Sequence, residues 1–152
     1  MEANVEKRHV LWLIIWLALL DLILLAVAGD GFDKYVDGTL DGFNNATPTV
    51  LTLALVSGLV LVSAIVAGLS HVHHYNPGSV GSATTTALIA WALMMLTFGV
   101  ACKEINIGGT KSLVQAVEAF VFLLTFFETI YVGIIFGGLF HPSLGVGYTA
   151  PP

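Results

Sequence analysis

Four apolar stretches, each long enough to cross a lipid bilayer, constrain this chain more than any other feature. They occupy residues 10–28, 48–69, 82–102 and 112–140. About 20 apolar residues in a helix cross a hydrocarbon core of about 30 Å. Only 10% of the residues are charged, against about 25% in soluble domains. We therefore predict an all-α membrane protein with one domain, an antiparallel four-helix transmembrane bundle in contact with the lipid bilayer.

The connections between these stretches differ in length. Residues 29–47 form the longest, an acidic and glycine-rich segment that we expect to be a single longer outer loop. Asn45 begins an Asn-Ala-Thr glycosylation sequon there, which favours an outer position. The tail of residues 141–152 contains three prolines and is expected to be irregular.

The basic residues give a weak indication of topology. Four spans place both termini on one side of the membrane, and Lys7 and Arg8 lie immediately before the first span. The opposite side would hold Lys34, Lys103 and Lys111, so the positive-inside rule is almost balanced. The charges next to the first span and the sequon favour cytoplasmic termini.

Two acidic residues fall near the middle of predicted spans, Asp21 in the first and Glu128 in the fourth. A carboxyl group that faces lipid at this depth costs several kcal/mol, so both are expected to face the bundle interior. No Lys or Arg lies at the same depth. We expect neutral carboxyl groups that share hydrogen bonds with each other or with Tyr131, Thr125 or Thr129. They form either a proton-linked solute site or a structural bond between the first and last helices.

A second group of charged residues lies where the third span ends, in the segment Ala-Cys-Lys-Glu-Ile-Asn-Ile-Gly-Gly. Lys103 and Glu104 lie in this segment, and Glu118 lies near the start of the fourth span at a similar depth. We predict a salt bridge between Lys103 and Glu118 that fixes the connection between these helices. The alternative is a polar gate at the mouth of a pathway.

Small residues recur at four-residue spacing, which permits close helix contact in lipid. Gly58 follows Ala54 in the second span, and Gly133 and Gly137 form a Gly-x-x-x-Gly pattern in the fourth. We expect these glycines to pack helices together, either within the bundle or against a membrane-protein partner or a second copy of the chain.

Several classes of function are excluded by what the sequence lacks. Five Lys and Arg residues form no basic stripe, so we expect no nucleic-acid partner. No nucleophile with a matched base and no phosphate-binding glycine loop is evident, so we expect no enzyme. The acidic loop lacks EF-hand spacing, and His71, His73 and His74 lack the spacing of a tetrahedral site. We therefore predict no metal and no cofactor.

The chain resembles a known plant family over roughly residues 68–140. Ala-Trp-Ala-Leu, then Phe-Gly-Val-Ala-Cys-Lys-Glu-Ile-Asn-Ile-Gly-Gly, then the fourth span with its early Glu-Ala, are similar to the family named after the abscisic-acid-induced wheat plasma-membrane polypeptide. The resemblance implies a four-span plasma-membrane protein linked to abscisic-acid responses and to drought and cold tolerance. It also implies abscisic-acid uptake for at least one branch. Asp21 and Glu128 depart from the family pattern, in which Asn and Gln are more frequent, and this favours a structural role for them.

Two functions follow from these observations. One is a facilitator that moves a small weak organic acid, with abscisic acid as the solute that the resemblance implies. The other is a non-transporting membrane scaffold or accessory subunit that binds partners or self-assembles. The small size of a four-helix unit leaves little room for a central pathway, which favours an oligomer or the scaffold.

Overall fold

The structure is a computed structural model that describes the backbone of residues 2–74, 77–109 and 111–140. Side chains are described for residues 8–70, 81–109 and 111–137. Two subjects of the sequence analysis, the histidines His71, His73 and His74 and the tail of residues 141–152, lie outside the described side chains.

Four α-helices account for the fold: α1 (Glu2–Val36), α2 (Thr47–His74), α3 (Pro77–Ile107) and α4 (Ser112–Phe140). Each helix packs against the next along the chain, and α4 packs against α1. The helices α2 and α4 also touch across the bundle. The described part of the chain is thus an antiparallel four-helix bundle, which confirms the predicted fold class.

Each helix contains an apolar segment long enough to cross a membrane: Arg8–Val36, Thr47–Ser70, Gly81–Ile107 and Ser112–Gly137. Less than half of the most apolar window of each segment is buried within the bundle. Large apolar side chains cover the outside, including Trp12, Leu22, Leu59, Val66 and Phe126, each at least 60% exposed. Such a surface is stable against lipid and not against water.

The first and third helices extend beyond the predicted spans. Residues 29–36 continue α1 as a helix, where the acidic composition had predicted a loop, and Lys34 pairs with Asp30 one turn earlier at 2.7 Å. The connection between α1 and α2 is therefore shorter than predicted and comprises residues 37–46. The Lys-Glu-Ile-Asn-Ile segment likewise remains helical up to Ile107.

Glycines in the left-handed region end these two helices. Gly38 has φ 67° just after α1, and Gly108 and Gly109 have φ 74° and 86° just after α3. A residue with a side chain rarely adopts this conformation, so glycine allows the chain to turn sharply at both points.

The core consists of buried stripes with helical spacing. Alanines 54, 64, 83, 87 and 90 are all at most 2% exposed on α2 and α3. Their small side chains let the two helix backbones approach closely, which is how helices associate where lipid removes the hydrophobic driving force. Larger side chains such as Leu24, Leu61 and Leu124 fill the remaining space.

Candidate intramembrane carboxyl site

Asp21 faces the interior of the bundle, as predicted for an acid near mid-span. It continues the buried stripe of Leu17 and Leu24 on α1 and is itself fully buried. Its side chain lies against Gly58 of α2, where an added Cβ would stand 3.0 Å from Asp21 Oδ1. Gly58 therefore lies at a close helix contact, as its spacing suggested, and gives the carboxyl group its space.

Glu128 of α4 joins Asp21 in the interior. It is fully buried, and its carboxyl group is near enough to that of Asp21 for their charges to act on one another. Neither oxygen of either side chain has a hydrogen-bond partner among the described residues. Two ionised carboxylates could not share this place without a cation, so the arrangement requires neutral groups or a bound partner.

The two threonine hydroxyl groups expected to bond with these acids are used elsewhere. Thr125 Oγ1 donates to the Val121 carbonyl at 2.7 Å, and Thr129 Oγ1 donates to the Thr125 carbonyl at 2.7 Å. Thr129 Oγ1 also accepts a hydrogen bond from Trp91 Nε1 at 3.0 Å, which links α3 to α4. Threonine in a helix commonly donates to the carbonyl four residues earlier, so these two hydroxyl groups do not donate to the carboxyl pair.

Tyr131 extends the polar group along α4 toward the carboxyl end of that helix. It is 3% exposed and lies one turn after Glu128, close enough to interact with it electrostatically. Its hydroxyl reaches across the bundle to α2, where it occupies the space that a side chain at Gly68 would need. The structure thus brings Asp21, Glu128 and Tyr131 together as the sequence analysis grouped them.

A neighbouring polar contact was missed by the sequence analysis. Ser57 and Thr97 are both buried, and Thr97 Oγ1 donates to Ser57 Oγ at 3.2 Å between α2 and α3. Ser57 Oγ in turn donates to the Leu53 carbonyl of its own helix at 2.7 Å. Thr97 Oγ1 also lies 2.9 Å from the Leu93 carbonyl of α3. The signal was present in the spacing, because Thr97 follows Met94 and Ala90 on the buried stripe of α3.

Glu104 and Glu118 lie at the end of the bundle opposite the start of α1, and both are buried. Thr47 Oγ1 at the start of α2 donates to Glu104 Oε1, while Glu104 Oε2 and Glu118 Oε1 have no partner among the described residues. The amide of Asn44 donates to the carbonyls of Glu104 and Gly108, each at 3.3 Å. Loop, α2 and α3 are therefore tied together at this end.

The predicted salt bridge between Lys103 and Glu118 is not made. The ion pairs of the described residues are Lys34 with Asp30 and Lys111 with Asp41. Lys103 is exposed, whereas the next residue, Glu104, takes the interior position. Successive residues of a helix point about 100° apart, so Lys103 and Glu104 cannot both face α4.

A surface cavity of about 390 Å³ lies between the ends of α2 and α3, beside Lys103. Its lining comprises Asn45, Ala46, Thr49, Val100, Lys103 and Ile107. The wall is therefore part polar and part apolar, with one positive charge.

The remaining predicted residues separate into distinct environments. Gly133 and Gly137 have nothing within 4 Å of an added Cβ, so their pattern packs no helix within the bundle. Asn45 is exposed, whereas Thr47 of its sequon is fully buried. Within the described residues, no group of three His, Cys, Asp or Glu side chains is placed to hold a metal ion.

These observations define a class: a four-span membrane protein whose bundle interior carries unpaired carboxyl groups. The AWPM-19-like family matches residues 30–138, a wider range than the stretch that carried the resemblance. The chain is also 33% identical over 150 residues to "Membrane protein PM19L" of Oryza sativa subsp. japonica, covering 95% of this chain and 87% of that protein. The chain belongs to the AWPM-19-like family. No solved structure matches it.

Proposed function

We propose that this protein facilitates the movement of a small weak organic acid across the membrane. The observation that carries the proposal is the buried pair of Asp21 and Glu128, whose four carboxyl oxygens are unpartnered among the described residues. Natural proteins satisfy most buried polar atoms, so an unsatisfied pair at this depth favours a site that a solute or a proton occupies.

The chemistry of the pair favours a neutral solute over an anion. The described interior contains four carboxyl groups, those of Asp21, Glu104, Glu118 and Glu128. The basic side chains described at Arg8, Lys34, Lys103 and Lys111 are all exposed. An anion in the interior would thus be repelled with no compensating cation. A neutral carboxyl group both donates and accepts hydrogen bonds, so it can pair with the carboxyl group of a protonated weak acid.

The resemblance supplies a specific solute and a setting for this proposal. Abscisic acid is a small weak acid with an apolar body, which suits an interior lined by aliphatic side chains and a carboxyl pair. We place the protein in the plasma membrane of plant cells under stress, with cytoplasmic termini. A fluorescent fusion at the amino terminus, followed during plasmolysis, tests that location.

Uptake of radiolabelled abscisic acid into liposomes that contain the purified protein tests the proposed function. Asp21→Asn and Glu128→Gln keep the shape of the side chains and remove their ability to release a proton. We expect each to reduce the protein-dependent rate at least tenfold. Asp33→Asn, which changes an exposed acid of the same helix, is the matched control and should retain the wild-type rate.

Two results would contradict the proposal. Uptake equal to that of empty liposomes would exclude transport of this acid by the chain. Unchanged rates and pH profiles in both variants would mean that the carboxyl pair takes no part in transport and has a structural role.

A second candidate function, a membrane scaffold, is favoured by the outer face of α4. Gly133 is exposed with open space at its Cβ position, and the exposed side chains of Phe126, Ile130 and Ile134 lie near it on the same helix. A glycine on an apolar surface permits a partner helix to approach closely.

Self-association of differently tagged copies in one membrane tests the scaffold. Gly133→Leu should abolish their cross-linking if this face forms the contact. Gly99→Leu is the control, because Gly99 of α3 is also exposed and has nothing within 4 Å of an added Cβ. Equal cross-linking in both variants would exclude the α4 face as the contact.

A further inference from the structure

The cavity beside Lys103 differs from the rest of the surface at this end of the bundle. The charge of Lys103 is not neutralised by an acidic side chain of the described residues. Lys34 and Lys111 each pair with an aspartate, at 2.7 Å and 3.1 Å. Lys103 takes part in no ion pair among the described residues and instead lines a cavity of about 390 Å³. An unneutralised ammonium group in a concave site attracts an anion.

The lining of the cavity supplies further groups suited to an anion. Asn45, just before α2, and Thr49, in its first turn, bring an amide and a hydroxyl group to the same cavity as Lys103. Both residue types donate hydrogen bonds to phosphate or carboxylate oxygens. The nearest acidic residue in sequence, Glu104, points into the bundle and is fully buried, so it leaves the charge of Lys103 unopposed in the cavity.

Exposed apolar side chains follow the cavity along α3 and α2, toward the middle of the spans. Val100 and Ile107 line it together with Lys103, and Leu96 lies one turn before Val100 on the same helical stripe. Leu96 is 54% exposed, and Val56 of α2 is 44% exposed. The ion-binding part thus lies near the end of the spans, at the level of lipid headgroups, with exposed apolar surface below it.

We propose that this cavity binds an anionic phospholipid, with its headgroup phosphate on Lys103, Asn45 and Thr49 and an acyl chain along α3. The position favours a phospholipid over a free anion because the polar lining and the apolar stripe follow one another at the depths of headgroup and chain. The bound lipid bridges the ends of α2 and α3. This site is separate from the interior carboxyl pair, and the inference does not depend on solute transport.

Native mass spectrometry of the purified protein in a neutral detergent tests the site, with phosphatidylglycerol as the probe and phosphatidylcholine as the neutral comparison. The loss of one such polar contact costs about 1 kcal/mol, which corresponds to about fivefold in affinity. We expect Lys103→Gln to weaken binding of the first phosphatidylglycerol by about fivefold or more. Lys111→Gln, the matched control at the same end, should bind it as the wild type does.

A second variant tests the hydrogen-bonding part of the lining without a change of charge. Thr49→Val keeps the size of an exposed side chain and removes its hydroxyl group, so it should lower the preference for phosphatidylglycerol without affecting folding. Because Lys103 and Thr49 are both exposed, circular dichroism of the variants should match that of the wild type.

Three outcomes would overturn the assignment. Lys103→Gln could bind phosphatidylglycerol as tightly as the wild type. Lys103→Gln and Lys111→Gln could weaken binding equally, which would indicate general surface charge. Millimolar hexanoate could displace the lipid from the wild type and from Lys111→Gln alike, which would assign the cavity to a small amphipathic acid.

Discussion

The glycines of α2 determine how far polar side chains from α1 and α4 enter the bundle. Gly58 makes room for the carboxyl group of Asp21, and Gly68 makes room for the hydroxyl of Tyr131. Both side chains lie against bare helix backbone, so one added methyl group at either position would have to displace a buried polar group. Glycine is usually unfavourable in a helix, by about 1 kcal/mol relative to alanine, and here the close approach offsets that cost.

We predict opposite effects of alanine at two glycines of this chain. Gly68→Ala should lower stability by about 1–3 kcal/mol, because the new Cβ overlaps the Tyr131 hydroxyl. Gly133→Ala should leave stability unchanged or raise it slightly, because nothing lies within 4 Å of its Cβ position. Thermal unfolding in detergent measures both. A Gly68→Ala melting temperature equal to that of Gly133→Ala would contradict the described position of Tyr131.

The hydroxyl of Thr47 and the carboxyl group of Glu104 allow a second comparison at single residues. Glu104→Gln retains an oxygen that can accept the Thr47 hydrogen bond and should be close to the wild type in stability. Glu104→Ala leaves the buried hydroxyl without this acceptor and should cost about 1–3 kcal/mol. Thermal unfolding under the same conditions distinguishes them. Equal losses in both variants would mean that the charge of Glu104, and not its hydrogen bond, stabilises this end.

At the scale of elements, Asn44 connects the α1–α2 loop to the end of α3. Its amide donates to two carbonyls at the carboxyl end of that helix, and its Oδ1 accepts from the Ala46 amide at 2.8 Å. One short side chain therefore satisfies terminal groups of α3 and forms the turn that leads into α2, so the two helix ends are stabilised together.

We expect Asn44→Ala to expose this region locally without unfolding the bundle. A lost hydrogen bond contributes about 1 kcal/mol net, so amide hydrogen exchange in residues 105–109 should accelerate about fivefold. Asn45→Ala is the control, since Asn45 is exposed. Exchange that accelerates equally in both variants would contradict the specific role of Asn44.

The number, order and antiparallel arrangement of the helices could be predicted from apolar length alone. The extension of α1 could not be predicted in this way, because the acidic, glycine-rich composition of residues 29–36 is typical of a loop. The structure shows that Asp30 and Lys34 pair one turn apart along a helix. The inward position of Glu104 was readable from Ala90, Met94, Thr97 and Ala101, a buried stripe that reaches residue 104 at helical spacing. The hydrogen bond from Thr47 to Glu104 could not be predicted from spacing, because it depends on how the loop before α2 folds back.

For the molecule as a whole, the bundle separates two polar regions. The start of α1 and the end of α4 lie at one end, and the loop of residues 37–46 and the α3–α4 connection lie at the other. The carboxyl pair lies between these ends, inside an apolar wall. The sequence indicated the depth of this pair, but only the packing of α1 against α4 brings its two members near enough for their charges to interact.

The proposed orientation can be tested with single cysteines, because Cys102 is the only cysteine of the chain. In a Cys102→Ser background, Thr39→Cys should react with an impermeant maleimide added to intact cells. Ala3→Cys should react only after permeabilisation. Labelling of Ala3→Cys in intact cells, with Thr39→Cys protected, would reverse the proposed orientation.

The buried position of Thr47 has a consequence for biogenesis. A glycosylation sequon requires its threonine, yet in the folded protein the hydroxyl of Thr47 is bonded to Glu104, a residue synthesised 57 positions later. Asn45 can therefore be modified only while the nascent chain still lacks α3 or has not yet packed it. The fraction of molecules that carry a glycan would then record a competition between the modifying enzyme and helix assembly, and a slower-folding variant should carry more.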